Sequence, residues 1–265
     1  IPDHLSVLVI AGPQTDLLPG EVDLSRGYLN AGGNLLWLTD PGAPAGLDPL
    51  AEDLGIGRLP GIVVDATTQL FGIQNPDFVL VPEYPPHPVT RELRMLSLFP
   101  RAVALEWDRR PDWSGQPILS SLERAWTETG ELAGDIRFDA GGDEVPGPLD
   151  IGFALTRQPD NGTGAEDEPG NTEAPREQRV IVVGDGDFLS NAYLGNGGNL
   201  DLGLNMLHWL SHDDSFIAIR AKAAPDQSLN LSGTAQAVLG IGFLFGVPAV
   251  LLGAGIVIWL RRRKR

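Results

Sequence analysis

Cysteine is absent from the 265 residues of this sequence. This absence excludes a disulfide-stabilised scaffold, a thiolate metal site and a cysteine nucleophile. It does not identify the compartment, because many extracytoplasmic proteins also lack cysteine.

Charged side chains are absent from residues 235–260, where most side chains are apolar. A helix rises ~1.5 Å per residue, so this run exceeds the ~30 Å hydrocarbon thickness of a bilayer. Soluble domains rarely contain an apolar helix of this length, and a signal peptide would lie at the N-terminus. We therefore predict a transmembrane helix over residues 235–260.

Five basic residues, 261–265, follow the apolar run directly. Their position matches the positive-inside pattern, which predicts a cytoplasmic tail and an ectodomain on the other side of the membrane. Within the run, Gly242 and Gly246 have the small-residue spacing that lets two helix backbones approach closely, although glycine is common in membrane helices generally. The sequence thus predicts a single-pass anchor with these glycines as a helix-packing face.

Acidic residues outnumber basic residues 35 to 19, which gives a formal net charge of −16. Without the five basic residues at the end, the charge of the remaining chain is −21. Such an ectodomain is repelled by nucleic-acid phosphates and by anionic lipid headgroups. Nucleic-acid binding is therefore disfavoured.

Two apolar runs, 6–11 and 34–39, flank a segment of helical spacing at 21–31. Strand, helix and strand at these lengths form a βαβ unit, and continuous apolar strands are typical of a parallel sheet covered on both faces. We therefore predict an α/β ectodomain with a mostly parallel sheet. Further strands are predicted at 61–65, 78–81, 102–107, 118–121, 150–156, 179–183 and 215–221, and further helices at 47–54 and 200–210.

Residues 158–178 contain proline, glycine, asparagine and acidic side chains, but almost no large apolar residue. Such a segment cannot bury enough surface to offset its ordering entropy, so we predict a mobile acidic loop. The ectodomain is predicted over residues 1–228 and a juxtamembrane linker over 229–234. Because the chain begins at Ile1-Pro2 without an initiator methionine, we expect an N-terminal portion to be missing.

Two aspartates follow the strand predicted at 179–183. Asp185 and Asp187 could hold a cation, and Asn191 could hydrogen-bond to a ligand, because ligands of open α/β sheets bind beyond the carboxyl ends of strands. The segment lacks the dinucleotide fingerprint, since Leu189 stands where a third small residue is needed, and it also lacks the complete EF-hand ligand set. The alternative is that these residues shape a turn and cap the next helix.

Histidine provides a second candidate at His87, which lies with Thr90 in the proline-rich stretch 82–90. The alternative is that His87 is structural or exposed. His208 and His212 have a spacing that could bind zinc, but no glutamate follows His208 as the hydrolytic metal motif requires. We therefore predict no metal site.

A third candidate segment, residues 120–128, contains hydroxyls, carboxylates and an aromatic side chain. Ser121 could bind a ligand, and Trp126 could stack on a sugar or pack into the core, of which we favour the core. The sequence contains no Gly-x-Ser-x-Gly elbow and no Walker-type phosphate loop, so neither a serine hydrolase nor this route of ATP hydrolysis has support. We predict no catalytic residue and no cofactor.

Several blocks in this order resemble one protein family. They are residues 7–13, 28–36, 87–90, 183–191 and 205–210. Together with the terminal membrane helix and its basic tail, they resemble the gliding-motility auxiliary family of ABC-type transport systems. The resemblance covers nearly the whole chain apart from the acidic loop.

The resemblance implies an auxiliary membrane subunit that works beside an ABC permease and a separate ATPase. It also implies a flavodoxin-like domain similar to glutamine amidotransferases and to a domain of an intraflagellar transport protein. The amidotransferase cysteine is absent here, and the family is thought to be non-enzymatic, with carbohydrate binding proposed for the domain. The family normally has an N-terminal membrane span, and some members occur in bacteria that do not glide.

The sequence thus predicts a non-enzymatic accessory subunit in a bacterial inner membrane, with a periplasmic domain that binds a carbohydrate, a peptide or a protein partner. One alternative is a membrane-anchored enzyme that uses Asp185 and Asp187 with a metal on a glycan or phosphoester. Another alternative is a passive carbohydrate-binding module.

Overall fold

The computed structural model of the protein describes residues 1–2, 5–42, 46–73, 75–133, 136–158, 176–213 and 242–263. The chain forms two compact units, Ile1–Ala221 and Lys222–Arg265, which we describe separately. The strand predicted at 215–221, the linker predicted at 229–234 and most of the predicted acidic loop lie outside the described residues.

The first unit is a mixed α/β domain. Its helices are α1 (Pro19–Asn30), α2 (Asp48–Leu54) and α3 (Asn199–Leu210). Its strands are β1 (Leu8–Ala11), β2 (Leu35–Leu38), β3 (Ile56–Arg58), β4 (Ile62–Asp65), β5 (Phe78–Val81), β6 (Ser97–Pro100), β7 (Leu105–Trp107), β8 (Ser114–Ser120), β9 (Ala125–Glu128), β10 (Asp150–Arg157) and β11 (Gln178–Val183). A short 3₁₀ helix, Thr68–Phe71, follows β4.

Five strands form the main sheet in the order β1-β2-β11-β10-β8. β1, β2 and β11 run parallel, which confirms the predicted βαβ unit of β1, α1 and β2. β10 runs antiparallel to both β11 and β8, so the sheet is mixed and the prediction of a mostly parallel sheet holds only for the first three strands. The reason is that no helix lies between β8 and β11 among the described residues, where β9 alone separates β8 from β10, and antiparallel pairing needs no crossover helix.

The residues between β2 and β10 form three two-stranded antiparallel pairs, β3–β7, β4–β9 and β5–β6. Among these strands, β3, β6 and β9 were not predicted. They are only three or four residues long and lack a clear alternation, so their local pattern is weak.

Helices cover both faces of the parallel part of the sheet. On one face, Leu35 and Trp37 of β2 belong to one core with buried residues of α1 and α2. On the other face, Leu36 and Leu38 belong to a second core with Leu202 and other residues of α3. Because side chains alternate along a strand, a continuous apolar strand supplies both cores. The edge strand β1 is less protected than predicted: it pairs with β2 alone in the described part of the sheet, and Val9 is 47% exposed.

In the second unit, a π-helical turn, Gly242–Gly246, leads into helix α4, Val247–Arg263. The run Phe243–Arg263 is long and apolar enough to cross a membrane, and it extends the predicted helix into the arginines. A proline inside a helix removes the hydrogen bond to the carbonyl four residues earlier, so Pro248 explains the wider turn before it. Residues 235–241 of the predicted span lie outside the described range.

Candidate functional site

The three parallel strands bring three loops together at one edge of the sheet. Gly12 follows β1 and donates its N–H to the carbonyl of Leu38 at 3.0 Å. Asp40 follows β2, and its Oδ1 accepts the N–H of Gly186, which follows β11, at 2.7 Å. A Cβ atom on Gly12 or on Gly186 would lie 2.8 Å from Asp40 Oδ2, so a side chain at either position would displace this carboxylate. The Asp40 carboxylate therefore lies between Gly12 and Gly186 at the carboxyl ends of the parallel strands.

Asp185 is fully buried in this edge. Its Oδ1 accepts the N–H groups of Asp187 and Phe188 at 2.7 and 2.8 Å, which is the geometry of an Asx-type turn. Burial raises the pKa of Asp185 well above its ordinary value of 3.8, and the charges of Asp40 and Asp187 raise it further. Oδ2 is buried with no hydrogen-bond partner in the described part of the chain. Asp185 thus shapes the turn, as the alternative prediction proposed.

The other two candidates after β11 differ from Asp185 in exposure. Asp187 and Asn191 are both exposed, so both side chains remain accessible to solvent. The next helix, α3, begins only at Asn199, so Asp185 caps a turn and not a helix, which corrects that part of the prediction. The described residues contain no group of three or more His, Asp or Glu side chains arranged to hold a metal ion.

His87 lies in the proline-rich loop after β5 and is 8% exposed. Its Nδ1 accepts the N–H of Val89 at 3.2 Å, and its ring meets Trp209 of α3 edge to face with centroids 4.8 Å apart. Burial and, to a smaller extent, the charge of Arg179 lower the pKa of His87 to about 4. His87 is therefore neutral at pH 7. It is buried rather than exposed, and it lines a cavity.

Thr90 lies in the same loop but has an internal role in the structure. It is 2% exposed, and its Oγ1 donates to the carbonyl of Pro85 at 2.7 Å. This hydrogen bond closes the loop that presents His87. Thr90 therefore supports the loop and does not face the cavity.

The cavity beside His87 has a volume of about 310 Å³. Besides His87, its lining includes polar side chains from three strands of the main sheet and the indole of α3, namely Ser114, Gln116, Thr156, Arg179 and Trp209. Arg179 lies 4.9 Å from the Trp209 ring centroid, and its Nη1 donates to the Trp209 carbonyl at 2.7 Å. Sequence reasoning did not identify Arg179 and Trp209 as site residues, because they come from segments that look like ordinary strand and helix.

Ser121, which directly follows β8, and Trp126 of β9 do not line the His87 cavity. Ser121 Oγ accepts the N–H of Leu149 at 2.9 Å, and the side chain is 6% exposed. Trp126 is 8% exposed, and its indole N–H donates to Glu128 at 3.1 Å, so it packs into the domain as favoured. A second cavity, of about 600 Å³, is lined by Ser121 and by exposed charged residues nearby.

The predicted site residues thus do not line one cavity. Asp185, Asp187 and Asn191 follow the carboxyl end of β11, and His87 and Thr90 belong to the loop after β5. Ser121 directly follows β8, and Trp126 lies in β9. Asp40 was not predicted, although a signal existed: it directly follows a predicted strand that is parallel to the one before Asp185. Of these places, the His87 cavity has the most polar side chains from separate elements.

Comparisons with known proteins agree with this architecture. A protein-family model described as "ABC-type uncharacterized transport system" matches residues 1–209. A solved structure titled "mmIFT52 N-terminal domain" is similar to 79% of this chain and over 78% of its own length, with a TM-score of 0.54 and 17% sequence identity. At that identity the likeness concerns the fold alone. No curated protein gives a significant match. The chain is a member of the ABC-type uncharacterized transport system family.

Proposed function

We propose that this protein is a non-enzymatic auxiliary subunit of an ABC-type transport system, with its α/β domain on the extracytoplasmic side. The observation that carries the proposal is the family match over residues 1–209, followed in the same chain by a helix able to cross a membrane. The arginines at the end of that helix support a cytoplasmic C-terminus and a bacterial inner-membrane location. A permease and a separate ATPase are the proposed partners, and membrane lipid surrounds the helix.

The proposal includes a fold relationship with flavodoxin-like and amidotransferase-like domains. Three parallel strands with helices on both faces support it, as does the likeness to the solved domain. An experimental structure that gives the order of every strand in the sheet tests it. A sheet in which β1 remains at the edge argues against the flavodoxin-like order, in which the first strand lies inside the sheet.

Association with a transporter is tested by purifying the full chain from its native membrane in mild detergent. We expect a permease and an ATPase of the ABC type to be retained in stoichiometric amounts. Complete absence of ABC subunits after chemical cross-linking in the membrane contradicts the proposal.

Helix α4 and the turn before it provide a sharper test, because large apolar side chains described there, such as Phe245 and Val250, are exposed in the second unit. Gly242→Leu combined with Gly246→Leu places two large side chains on the proposed packing face, so we expect weaker retention of the permease with unchanged membrane insertion. Gly255→Leu is the matched control, because nine residues of α-helix place it on the opposite face from Gly246. Equal retention of the permease by the wild type and by all variants would indicate that the helix serves only as an anchor.

The alternative of a metal-dependent enzyme has less support from the site. Asp185 uses one carboxylate oxygen to hold its own turn and is buried, which leaves exposed Asp187 as the accessible carboxylate of the pair. The alternative of a passive carbohydrate-binding module has support from the polar cavities, and binding measured without any transporter subunit tests it.

A further inference from the structure

The last described turn of helix α4 carries a cluster of positive side chains. Arg261, Arg262 and Arg263 form this arginine cluster, and two further basic residues follow it in the sequence. All three arginines are exposed in the second unit. Successive residues of an α-helix point about 100° apart, so the three side chains project in different directions around the helix axis. The positive charge thus lies around most of the helix circumference and not on one face.

The arginine cluster has no carboxylate partner in the part of the chain that the structure describes. Asp226 is the last acidic residue of the sequence, and it precedes the apolar run Phe243–Arg263. Among the described residues, none forms an ion pair or a side-chain hydrogen bond with the three arginines. Each guanidinium has five N–H donors and no acceptor, so the donors are satisfied by water or by an anion. The cluster is therefore available to an anionic partner.

Trp259 sets the depth at which one of these charges lies. It is exposed one helical turn before Arg263, and the Arg263 Cζ atom lies 5.3 Å from the centre of its ring. Helical side chains lean towards the N-terminus of the helix, so this contact holds the guanidinium back towards the apolar run. Tryptophan is enriched at the boundary between lipid headgroups and acyl chains. In a bilayer, this boundary brings Arg263 within reach of the lipid phosphates.

We propose that Trp259 and the arginine cluster form a binding surface for anionic phospholipid headgroups, which the helix selects over zwitterionic headgroups. Arginine matches a phosphate because its planar fork donates two parallel hydrogen bonds. A cluster of basic residues beside one leaflet attracts lipids of net negative charge. A cluster that only orients the helix in the membrane needs no such selection. This inference rests on the membrane crossing in the proposed function, and it requires neither the permease nor the ATPase.

Quenching of Trp259 fluorescence by brominated lipids measures this preference, because bromine quenches a tryptophan that it contacts. The full chain is reconstituted into vesicles that contain phosphatidylcholine and phosphatidylglycerol, with either one lipid or the other brominated on its acyl chains. Trp259→Phe gives the background from the other five tryptophans. At low ionic strength we expect phosphatidylglycerol to bind beside Trp259 about fivefold more strongly than phosphatidylcholine, since one basic residue near an anionic surface contributes about that factor.

Salt and charge variants test whether the preference is electrostatic. In about 1 M sodium chloride the Debye length is about 3 Å, so we expect the preference to fall below about twofold. Arg261→Gln, Arg262→Gln and Arg263→Gln combined are expected to lower it similarly at low ionic strength. Lysine at the same three positions is the matched control. Because lysine keeps the charges, we expect this variant to retain a preference above about twofold.

Sodium phosphate at matched ionic strength distinguishes a lipid headgroup from a free phosphate ion. We expect it to leave the preference unchanged, because a single ion does not reproduce the charge of a leaflet. Loss of the preference in phosphate would assign the arginine cluster to a soluble anion and would overturn the lipid inference.

Equal quenching of Trp259 by the two brominated lipids at low ionic strength overturns the inference and leaves the membrane crossing intact. A preference that persists in about 1 M salt also overturns it, as does a glutamine variant that is still quenched by brominated phosphatidylcholine and keeps the full preference. If the glutamine variant does not insert, the salt series and the lysine variant decide. No quenching above the Trp259→Phe background overturns both this inference and the membrane crossing.

Discussion

Asp185 has two opposite effects on stability: its oxygen accepts two backbone hydrogen bonds, and its buried ionisable group is unfavourable when charged. Replacement with alanine or with asparagine separates these effects. Alanine leaves the N–H groups of Asp187 and Phe188 without the acceptor that now lies at 2.7 and 2.8 Å. An unsatisfied buried donor costs about 1–3 kcal/mol, so we expect Asp185→Ala to lower the free energy of unfolding by about 2–4 kcal/mol. Asparagine keeps the accepting oxygen and removes the ionisable group, so we expect Asp185→Asn to be much more stable than Asp185→Ala.

The pH dependence of Asp185→Asn follows from the raised pKa of the aspartate. The folded state holds the proton more tightly than the unfolded state does. As the pH rises above 3.8, the unfolded state therefore loses its proton first and becomes relatively more favourable. Between the unfolded and folded pKa values, the titration of Asp185 alone lowers the free energy of unfolding by about 1.4 kcal/mol per pH unit. Asparagine has no such loss, so the stability of Asp185→Asn relative to wild type is expected to increase with pH.

Thermal unfolding of the full chain in detergent, followed by circular dichroism at pH 5 and pH 7.5, measures both effects. A domain of this size shifts its Tm by about 2–4 °C per kcal/mol, so Asp185→Ala is expected to melt several degrees lower. Asp187→Ala is the matched control, because that side chain is exposed and two residues away. The reasoning is refuted if Asp185→Ala and Asp187→Ala have the same Tm. It is also refuted if the Tm of Asp185→Asn relative to wild type does not increase from pH 5 to pH 7.5.

Two further predictions concern neighbouring parts of the domain. Gly184→Ala places a Cβ against the carbonyl of Val103, so we expect it to lower the free energy of unfolding, measured with denaturant, by about 3 kcal/mol or more. A Cβ at Gly195 meets open space, so Gly195→Ala is expected to change that free energy by less than about 0.5 kcal/mol. Equal unfolding midpoints of the two variants would contradict the packing at Gly184. His87 is expected to titrate near 4 rather than near its ordinary 6.5 in an NMR experiment without ligand. Because its folded pKa is lowered, His87 destabilises the fold as the pH falls from about 6.5 through 4, and a midpoint near 6.5 would show that His87 is not buried.

Much of the parallel core was predictable from local pattern. The run that became β2 is apolar along its length and every residue of β2 is buried, and the last four residues of β11 are apolar and buried as well. The boundaries of α1 and α2 were also close, because proline lies in the first turn of each helix and glycine follows soon after the last. These signals lie within a few residues of the elements that they define, so no distant contact is needed to read them.

The pairing of strands was not predictable in the same way. Nothing within 118–121 or 150–156 indicates that β8 pairs with β10, or that β10 runs antiparallel to β11. Strand direction depends on the path of the chain between strands, and the sequence of residues 158–177, which separate β10 from β11, has no recognisable helix pattern. The short strands β3, β6 and β9 depend on their partners in the same way.

In the candidate site, too, some residues were predictable from local sequence and others were not. The aspartates after β11 were recognised because they follow an apolar strand, but the close approach of Asp40 to Gly186 spans 146 positions. His87 was recognised as a rare residue type, whereas its cavity combines a loop, three strands and a helix. Arg179 and Trp209 carry no motif, so only their positions in the fold identify them.

The sequence by itself determined a C-terminal helix long and apolar enough to cross a membrane and the acidic character of the preceding residues, because length, apolarity and charge are sums over neighbouring residues. Tertiary structure alone decided which polar side chains are enclosed. Asp185 and Asp187 are two residues apart and chemically identical, yet one is fully buried and the other is exposed. Burial depends on the elements packed around a side chain, and those elements come from distant parts of the chain. The protonation of Asp185 and of His87 follows from that enclosure.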